Sequence, residues 1–216
     1  MESSLDRYMR IHSTPQGSAL EWIERQTHLR TNFPRMLSGA VQGRLLTMLV
    51  ELTGARRILE IGSFTGYSTV CLAYGLTDRD GHIDALEIND ELEDLMREGW
   101  ERAGVSDLIT LHIGDARDTL CKLRGSTLFD LVYIDANKRE YNEYYDLVFD
   151  MVRPDGLIIA DDVLWDGKVY EDPMPRDKQT VSLAEFNARV ASDPRVEAVI
   201  LPLRDGLTLI RKITGE

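Results

Sequence analysis

Three acidic residues follow two apolar segments that have the composition of buried strands. Asp135 comes directly after FDLVYI, and Asp161 and Asp162 come directly after GLIIA. Because open α/β sheets bind ligands at the carboxyl ends of their strands, these acids are candidate ligand contacts. Clustered carboxylates repel one another, and a hard divalent cation such as Mg²⁺, Mn²⁺ or Ca²⁺ relieves that repulsion. The spacing leaves two interpretations open, a metal site and acids that cap the following helices.

A glycine-containing turn follows the first strand-like segment, in EIGSFTGYS. Gly62 and Gly66 stand four residues apart, and glycine allows both a tight turn and a close approach of the backbone to a ligand. The pattern differs from GxGxxG, which seats the pyrophosphate of a dinucleotide on a helix N-terminus. S-adenosylmethionine has no phosphate, so the turn is compatible with that cofactor. A tight strand-to-helix connection without a ligand is the alternative, because short motifs also match by chance.

Two further strand-like segments end in residues that suit a nucleoside. Glu87 ends the second segment, where an acid accepts hydrogen bonds from ribose hydroxyls of a nicotinamide cofactor or of S-adenosylmethionine. A solvated acid at a strand end is the alternative. Asp115 and Ala116 follow the third segment. Ala116 is small enough to leave space for an adenine, and Asp115 is placed to contact the edge of the ring.

Lys138 stands three residues after Asp135, in the segment DANK. An ammonium ion is disfavoured near a metal ion and a sulfonium, so we expect the pKa of Lys138 to fall. A neutral lysine can take a proton from a hydroxyl and act as a general base. The alternative is a surface lysine that forms an ion pair.

The elements that position these residues alternate along the chain. Segments rich in Ile, Leu and Val predict buried parallel strands at 56–62, 82–88, 108–114, 129–135 and 156–162. Helical patterns lie between them, as at 67–76 and 89–104, which favours a parallel sheet with helices on both faces. The last two apolar segments, within 196–213, are joined by RDG, which is too short for a helical crossover. They therefore predict an antiparallel hairpin.

The predicted fold is α/β, a doubly wound, Rossmann-like, seven-stranded sheet that is mostly parallel, with a C-terminal antiparallel β-hairpin and N-terminal cap helices. We expect one domain over 1–216, with cap helices in 1–55, such as 18–30, and a cofactor-binding core in 56–216. This length suits a single hydrophobic core. Residues 165–180 are polar and contain prolines, which predicts a mobile loop beside the fifth strand.

Composition argues against several classes of protein. The net charge of −12 disfavours non-specific binding to nucleic acid, which needs clustered Lys and Arg. No segment approaches the roughly 20 apolar residues that cross a bilayer, and the first residues lack the apolar stretch of a signal peptide. We therefore expect a cytoplasmic protein that does not bind membranes. Cys71 and Cys121 show no CxxC spacing, so neither a disulfide nor a zinc site is expected.

From about Met36 onward, the chain resembles the cation-dependent O-methyltransferases, the family that includes catechol O-methyltransferase and plant caffeoyl-CoA O-methyltransferase. The resemblance rests on ILEIGSFTGYST, ALEIN, GDARDTL, FDLVYIDANKREYNEYY, PDGLIIADDVLWDGKV and LPLRDGLTLIRK. The fourth and fifth of these segments are the most specific. A doubly wound sheet that ends in a hairpin is also the topology typical of class I methyltransferases.

The resemblance implies a role for particular residues. Asp135, Asp161 and Asp162 would bind the metal ion, Lys138 would be the general base, and Asp166 would face the acceptor. The residues implied in contacts with S-adenosylmethionine are Ser38, Glu60, Gly62, Ser68, Glu87, Ala116, Asp135 and Asn137. The sequence departs from the family at two of these positions. Asp162 stands where the family usually has Asn, and Asn137 stands where Asp is common.

The sequence thus predicts an S-adenosylmethionine-dependent and divalent-metal-dependent O-methyltransferase that acts on a hydroxyl of a small, catechol-like acceptor, since vicinal hydroxyls chelate a metal best. A methyltransferase of the same fold with a non-catechol acceptor is the nearest alternative. A nicotinamide-dependent oxidoreductase is disfavoured by the missing GxGxxG and by the terminal hairpin. A non-catalytic binding protein is disfavoured by the intact acidic and lysine residues. The family likeness also implies a homodimer.

Overall fold

A computed structural model describes residues 3–76, 80–125 and 128–213 of the chain. The helices are α1 (Ser4–Ile11), α2 (Ser18–Arg30), α3 (Ala40–Thr53), α4 (Tyr67–Gly75), α5 (Glu93–Ala103), α6 (Ala116–Leu123), α7 (Tyr141–Phe149) and α8 (Lys178–Ser192). The strands are β1 (Arg57–Ile61), β2 (His82–Glu87), β3 (Ile109–Ile113), β4 (Phe129–Ile134), β5 (Val152–Asp161), β6 (Val196–Leu201) and β7 (Leu207–Lys212). Short 3₁₀ segments lie at Pro34–Met36, Asp90–Leu92, Ser106–Leu108, Lys138–Glu140 and Trp165–Tyr170.

The strands form one seven-stranded sheet in the order β3-β2-β1-β4-β5-β7-β6. β4 lies between β1 and β5 and is parallel to both, whereas β7 runs antiparallel to β5 and β6. The mostly parallel sheet with a terminal antiparallel hairpin confirms the predicted fold. The strand order reverses between β1 and β4, and this is where open α/β sheets form a ligand-binding crevice.

The register of the central strands brings the predicted site residues to one end of the sheet. Ile61 lies opposite Ile134, and Ile134 lies opposite Ala160. The residues that follow, Gly62, Asp135 and Asp161, therefore emerge side by side at the carboxyl ends of β1, β4 and β5.

The fifth strand begins earlier than the sequence predicts. We expected it to start after Pro154, at residue 156, but β5 begins at Val152, which pairs with Phe129. The register shifts before the next pair, and Asp155 has a left-handed backbone with φ of 59°. Proline and glycine are tolerated in a strand at such an irregularity, which explains why they do not end the strand here.

The described chain divides into two compact units. Unit 1 comprises residues up to Arg56, Ser63–Ile83 and Asn89–Thr110, and it contains helices α1 to α5. Its buried side chains include Ile23, Leu46, Val50, Met96 and Trp100. α3 and α4 approach closely because α4 carries Gly75, where an added Cβ would lie 2.5 Å from the Cβ of Val50.

Unit 2 comprises Arg57–Gly62, Asp84–Ile88 and the chain from Leu111 onward. It holds β1, β4, β5, β6 and β7 in full, and α7 and α8 pack together in it. Phe186 of α8 makes edge-to-face contacts with Tyr141 and Tyr145, at centroid distances of 5.5 and 6.0 Å. This aromatic packing fixes α7, and with it the segment that carries Lys138.

Two further features bear on the sequence predictions. Residues 165–180 contain the 3₁₀ segment Trp165–Tyr170 and the start of α8, so this polar stretch is partly helical. Within the described residues, no helix is both long enough and apolar enough to cross a membrane.

Candidate active site

Gly62 lies where the backbones of two strands approach each other too closely for a side chain. Its φ is +91°, and an added Cβ would lie 2.1 Å from the carbonyl oxygen of Asp135. The amide of Asp135 donates to the Ile61 carbonyl at 2.9 Å, and the amide of Gly62 donates to the Leu86 carbonyl at 2.9 Å. Backbone hydrogen bonds thus join the ends of β1, β2 and β4, and glycine is required at this junction.

Glu87 lies at the end of β2, as predicted, and is 8% exposed. Its carbonyl accepts a 2.9 Å hydrogen bond from the amide of Gly114, which follows β3. The end of β2 and the turn before α6 are therefore held side by side. The contacts of Glu87 with a ribose and of Ala116 with an adenine stay predictions.

Asp115 begins α6 as its N-cap and accepts from the amide of Arg117 at 2.9 Å. The guanidinium of Arg117 also donates to both carboxylate oxygens, at 3.0 and 2.6 Å. These hydrogen bonds lower the pKa of Asp115 to about 2. Ala116, the first residue of the helix, packs against the core as a partly buried side chain. Asp115 is thus a helix cap, and Arg117 is a partner that sequence reasoning did not identify.

The three predicted metal ligands have different surroundings. Asp161 is buried: Oδ2 accepts from the hydroxyl of Tyr133 at 2.5 Å, and Oδ1 accepts from the amide of Asp162 at 2.8 Å. Burial, together with the charges of Asp135 and Asp162, raises the pKa of Asp161 to about 7. Burial also raises the pKa of Asp135, with Lys138 opposing the rise. Repulsion among the acids is therefore present, as the sequence predicts.

Lys138 lies among oxygen atoms of this acidic group. Its Nζ donates to Asp135 Oδ1 at 2.8 Å and to the Tyr141 hydroxyl at 2.7 Å, and it lies 3.2 Å from Asp162 Oδ2. The main-chain carbonyl of Asp161 lies 3.5 Å away. Lys138 is 8% exposed, so the alternative is wrong about a surface position, but its ion pair is confirmed by the contacts with Asp135 and Asp162.

The expected fall in the pKa of Lys138, which depends on a neighbouring metal ion and sulfonium, stays a prediction. Burial does lower it, but the charges of Asp135, Tyr141 and Asp162 outweigh burial and raise the pKa well above its ordinary value. The prediction placed a metal ion next to the lysine, whereas here its nearest charged neighbours are carboxylates. Lys138 is therefore held as an ammonium ion.

The described residues contain no group of three His, Cys, Asp or Glu side chains arranged to hold a metal ion. The ammonium of Lys138 lies between Asp135 and Asp162, and both oxygens of Asp161 accept hydrogen bonds from the protein. The three-carboxylate metal site stays a prediction.

Two tyrosines complete this group, and sequence reasoning missed both. Tyr133 holds Asp161, while the Tyr141 hydroxyl accepts from Lys138 and donates to the Asp161 carbonyl at 2.7 Å. The signal for Tyr141 was its spacing, since it follows Lys138 by three residues in a helical segment and so lies on the same face. No comparable signal marks Tyr133, because it stands between apolar residues of β4 and reads as one more core residue.

Asp166 lies in a loop with an unusual backbone. Asp162, Trp165 and Asp166 have φ values of 55°, 51° and 53°, in the left-handed region that side chains with a Cβ rarely adopt. The amide of Asp166 donates to Asp205 Oδ1 at 2.6 Å, and Asp166 is exposed. Such strain persists only where neighbouring groups hold it, and it is frequent at ligand sites.

The remaining predicted cofactor residues occupy separate positions. Glu60 is buried in β1, opposite Tyr133. Asn137 is exposed and accepts from the amide of Arg139 at 3.3 Å, as the cap of the segment that carries Lys138. Ser38 and Ser68 are buried residues of unit 1, immediately before the cap of α3 and in the first turn of α4. Their contacts with a cofactor stay predictions.

Comparison with known proteins gives concordant matches over most of the chain. A family model described as O-methyltransferase matches residues 10–213. Tricin synthase 2 of Oryza sativa subsp. japonica is 37% identical over 187 residues, which cover 82% of this chain and 64% of that protein. Caffeoyl-CoA O-methyltransferase 1 of Eucalyptus globulus is 38% identical over 189 residues, which cover 83% of this chain and 76% of that enzyme.

Solved structures match over nearly the full length. The O-methyltransferase from Bacillus cereus in complex with SAH has a TM-score of 0.89 and 31% identity, with 98% of each chain covered. The O-methyltransferase TomG from Streptomyces achromogenes, involved in tomaymycin synthesis and determined with SAM, has a TM-score of 0.90 and 32% identity. That alignment covers 99% of this chain and 97% of TomG.

Proposed function

Because the chain belongs to the O-methyltransferase family, we propose that it transfers the methyl group of S-adenosylmethionine to a hydroxyl of a small, catechol-like acceptor with the help of a divalent metal ion. The observation that carries the proposal is the group formed by Lys138, Asp135 and Asp162 at the carboxyl ends of β4 and β5. It places the buried amine of Lys138, which would accept a proton only after losing its own, among acidic oxygens at the ligand-binding end of the sheet. Family membership disfavours the nicotinamide-dependent oxidoreductase.

The cofactor assignment rests on the ends of β1, β2 and β3. Gly62 has no side chain at the end of β1, so the backbone there is open to a ligand. We assign Glu87 as the carboxylate that binds the ribose, and Ala116 as the small residue that leaves room for the adenine. Glu60, Asp135 and Asn137 are the further contacts that we assign in unit 2. The relatives determined with SAM or SAH support this assignment.

The oxygen atoms around Lys138 suit a divalent cation in both chemistry and charge. Asp135 and Asp162 provide carboxylates, and they already hold one positive group, the ammonium, at 2.8 and 3.2 Å. Hard divalent cations prefer such oxygen ligands. We assign Asp135, Asp161 and Asp162 as metal ligands, and a bound cation would offset their charge and lower the pKa of an acceptor hydroxyl.

The residues of the chain then act on the acceptor. Lys138 would first lose its ammonium proton to solvent, which a cation bound by the neighbouring acids would favour. Its neutral amine then takes the proton of the acceptor hydroxyl, and the Tyr141 hydroxyl keeps Nζ directed towards the group. The acceptor oxygen forms a bond to the methyl carbon as the sulfur–methyl bond breaks, which yields the methyl ether and S-adenosylhomocysteine. Alignment of the reactants is the main source of rate, since proximity contributes roughly 7–11 kcal/mol. Asp166 faces the acceptor in this assignment.

Methyl transfer can be tested directly with S-adenosylmethionine labelled in the methyl group. We expect label in the ether product of catechol and at least about tenfold less with phenol, which lacks the second oxygen for chelation. Transfer to phenol and catechol at equal rates would favour the non-catechol alternative. The absence of transfer to any hydroxylated acceptor in a broad phenolic panel would contradict the proposed function.

We also propose that the protein is a cytoplasmic homodimer. α1 is amphipathic and buries none of its residues, and Leu5, Tyr8 and Ile11 are each at least 60% exposed. A second copy would remove this apolar face from water. Light scattering should give twice the 24.6 kDa mass of the chain at micromolar concentration. A monomer mass would contradict the dimer.

A further inference from the structure

The loop after β5 carries Asp166, the residue that the proposed function directs towards the acceptor. Trp165, Asp166 and Gly167 all have left-handed backbones, with φ values of 51°, 53° and 82°. Glycine adopts this conformation freely, whereas residues with a Cβ adopt it at a cost in free energy. Contacts from outside the loop must therefore stabilise it.

The turn between β6 and β7 supplies such contacts. The Asp205 carboxylate accepts a hydrogen bond from the amide of Asp166, with 2.6 Å between Oδ1 and the nitrogen. The main-chain carbonyl of Asp205 accepts from the amide of Leu164 at 2.8 Å, and the carbonyl of Gly206 accepts from the amide of Val163 at 3.1 Å. Asp205 thus receives hydrogen bonds from two residues of the loop.

Packing also keeps the turn close to the start of the loop. Gly206 has a φ of +88°, and an added Cβ there would lie 2.3 Å from Cγ of Leu164. From α8, the side-chain amide of Asn187 donates to the carbonyl of Val163 at 2.8 Å. The start of the loop is therefore fixed by packing and by main-chain groups of the turn, whereas the amide of Asp166 depends on the Asp205 side chain.

Asp205 is placed to act on the acceptor through Asp166. Asp161, the last residue of β5, pairs with Leu207, which follows Asp205 by two residues. The turn therefore lies at the carboxyl end of β5, where the acidic group lies. Asp166 is exposed, whereas Asp205 is partly buried. The contact that joins them runs from the Asp205 side chain to the Asp166 backbone, so it sets the conformation of the residue assigned to the acceptor.

We infer that Asp205 is a positioning residue that, by fixing the backbone of Asp166, determines which of the two vicinal hydroxyls of the acceptor is methylated. The two hydroxyls of a catechol are similar in chemistry, so the choice between them depends on how the acceptor is oriented. A loop that is not held in place would let the acceptor bind in either orientation. The inference rests on the proposed function, because it concerns the same acceptor site.

The test measures methylation of 3,4-dihydroxybenzaldehyde, whose 3-methoxy and 4-methoxy products are separable by chromatography. The unaltered protein should form mainly one of them. In Asp205→Ala, the acceptor KM should rise at least about tenfold through loss of the hydrogen bond, and the products should approach equal amounts. The kcat should change much less, since Asp135 and Lys138 are unaltered. Asp205→Asn keeps an oxygen that accepts from the Asp166 amide, so it should retain most of both values.

A double variant distinguishes positioning from general destabilisation. If Asp205 acts through Asp166, Asp205→Ala should add little to the rise in KM that Asp166→Ala already causes. Calorimetry should show unchanged affinity for S-adenosylhomocysteine in each single variant, which verifies folding. Asp205→Glu keeps the charge but moves the carboxylate by one methylene, so it should also shift the product ratio. This variant decides the question if Asp205→Ala does not fold.

Asp150→Ala is the matched control, because Asp150 is an exposed aspartate that pairs with Arg124 at 3.4 Å. Its KM and product ratio should equal those of the unaltered protein.

Three results would overturn the role of Asp205 and leave methyl transfer intact. They are equal amounts of both products from the unaltered protein, additive rises in KM in the double variant, and an unchanged product ratio in Asp205→Ala, or in Asp205→Glu where the alanine variant does not fold. If the unaltered protein methylates neither this catechol nor any member of the wider phenolic panel, the proposed function is contradicted together with this inference.

Discussion

Two parts of the sheet end in unit 2 are built in different ways. The cofactor edge, which we define as Gly62, Glu87, Gly114 and Asp115, is joined by main-chain hydrogen bonds between strand ends. The acceptor edge, defined as Asp135, Lys138, Asp161, Asp162 and Asp166, is joined mainly by buried side chains and ion pairs. Main-chain hydrogen bonds therefore hold the cofactor edge together, whereas charged side chains hold the acceptor edge together.

This difference determines how each edge responds to substitution. At the cofactor edge, Asp115 is stabilised as an anion by the hydrogen bonds of Arg117, which lower its pKa to about 2. At the acceptor edge, burial and neighbouring acids raise the pKa of Asp161 to about 7. Charge is favourable in the folded protein at the first edge and costly at the second. Changes at the acceptor edge should therefore alter turnover, and changes at the cofactor edge should alter cofactor affinity.

The largest effect is expected for Asp135→Ala. The variant loses a carboxylate that holds Lys138 and, in our assignment, the metal ion. Turnover of a catechol should fall by at least about 10³-fold, the upper range for loss of one electrostatic contact in a transition state. Calorimetry should show a much smaller loss of S-adenosylhomocysteine affinity, because Asp135 is one of several assigned cofactor contacts, and measurable binding also verifies folding. A comparable loss of cofactor affinity would show that the two edges are not separable.

Lys138→Ala should lower kcat by about 10²–10⁴-fold, the range for loss of a general base. Part of the loss should be recovered at higher pH, where the acceptor hydroxyl ionises without help. Lys138→Arg is the matched control, since arginine keeps the positive charge beside Asp135 but does not release its proton. Full activity of Lys138→Arg would assign to Lys138 an electrostatic role in place of proton transfer.

Glu87→Ala tests the cofactor edge. Loss of charge-assisted hydrogen bonds to the ribose should weaken S-adenosylhomocysteine binding by about 1.5–3 kcal/mol. Glu87→Gln keeps one acceptor oxygen, so its affinity for S-adenosylhomocysteine should lie between those of the unaltered protein and of Glu87→Ala. At saturating cofactor, kcat should change little in either variant. Unchanged affinity in Glu87→Ala would remove Glu87 from the ribose site.

The smallest effect concerns the pH dependence of stability. The pKa of Asp115 is lowered to about 2 in the folded protein, below the value of about 3.9 expected for an unfolded chain. Its ionised form therefore stabilises the fold above pH 4, and this contribution is lost as the pH falls from about 4 to 2. Asp115→Asn keeps a helix-capping oxygen and removes the charge. Urea unfolding should show a difference in the free energy of unfolding that is constant above pH 5 and shrinks below pH 4.

Arg117→Gln provides the control for this dependence, because Arg117 donates the hydrogen bonds that lower the pKa of Asp115. In Arg117→Gln, the free energy of unfolding should fall less between pH 4 and pH 2 than it does in the unaltered protein, because the pKa of Asp115 is then closer to its unfolded value. A difference that stays constant down to pH 2 in Asp115→Asn would show that the carboxylate contributes no charge-dependent stability.

The sequence predicts the cofactor edge better than the acceptor edge for a physical reason. Glycines and strand-end acids such as Gly62 and Glu87 are recognisable by residue type and position, and the hairpin follows from the short link RDG. The state of Lys138 depends instead on Tyr141 and Asp162, whose proximity requires the packing of α7 and the register of β5. The pKa of a buried group depends on neighbours that are distant in sequence, so the contributions of Tyr141 and Asp162 to that of Lys138 could not be derived from residue types alone.

The left-handed residues of the acceptor edge were also not predictable. Trp165 adopts this backbone although its residue type disfavours it, and Asp166, a type more tolerant of it, follows, because the turn that carries Asp205 holds the loop. Residue preferences describe isolated segments, and here a tertiary contact overrides them. The irregular start of β5 at Val152 has a similar origin in its pairing with Phe129.

Dependence on a divalent cation tests the central claim most directly. Methylation of a catechol should be measured after treatment with EDTA and again after addition of Mg²⁺, Mn²⁺ or Ca²⁺, with S-adenosylmethionine at saturation. We predict that activity is lost on chelation and returns with at least one of these ions, while S-adenosylhomocysteine binding is unaffected throughout. Full activity in EDTA would contradict the assignment of Asp135, Asp161 and Asp162 as metal ligands.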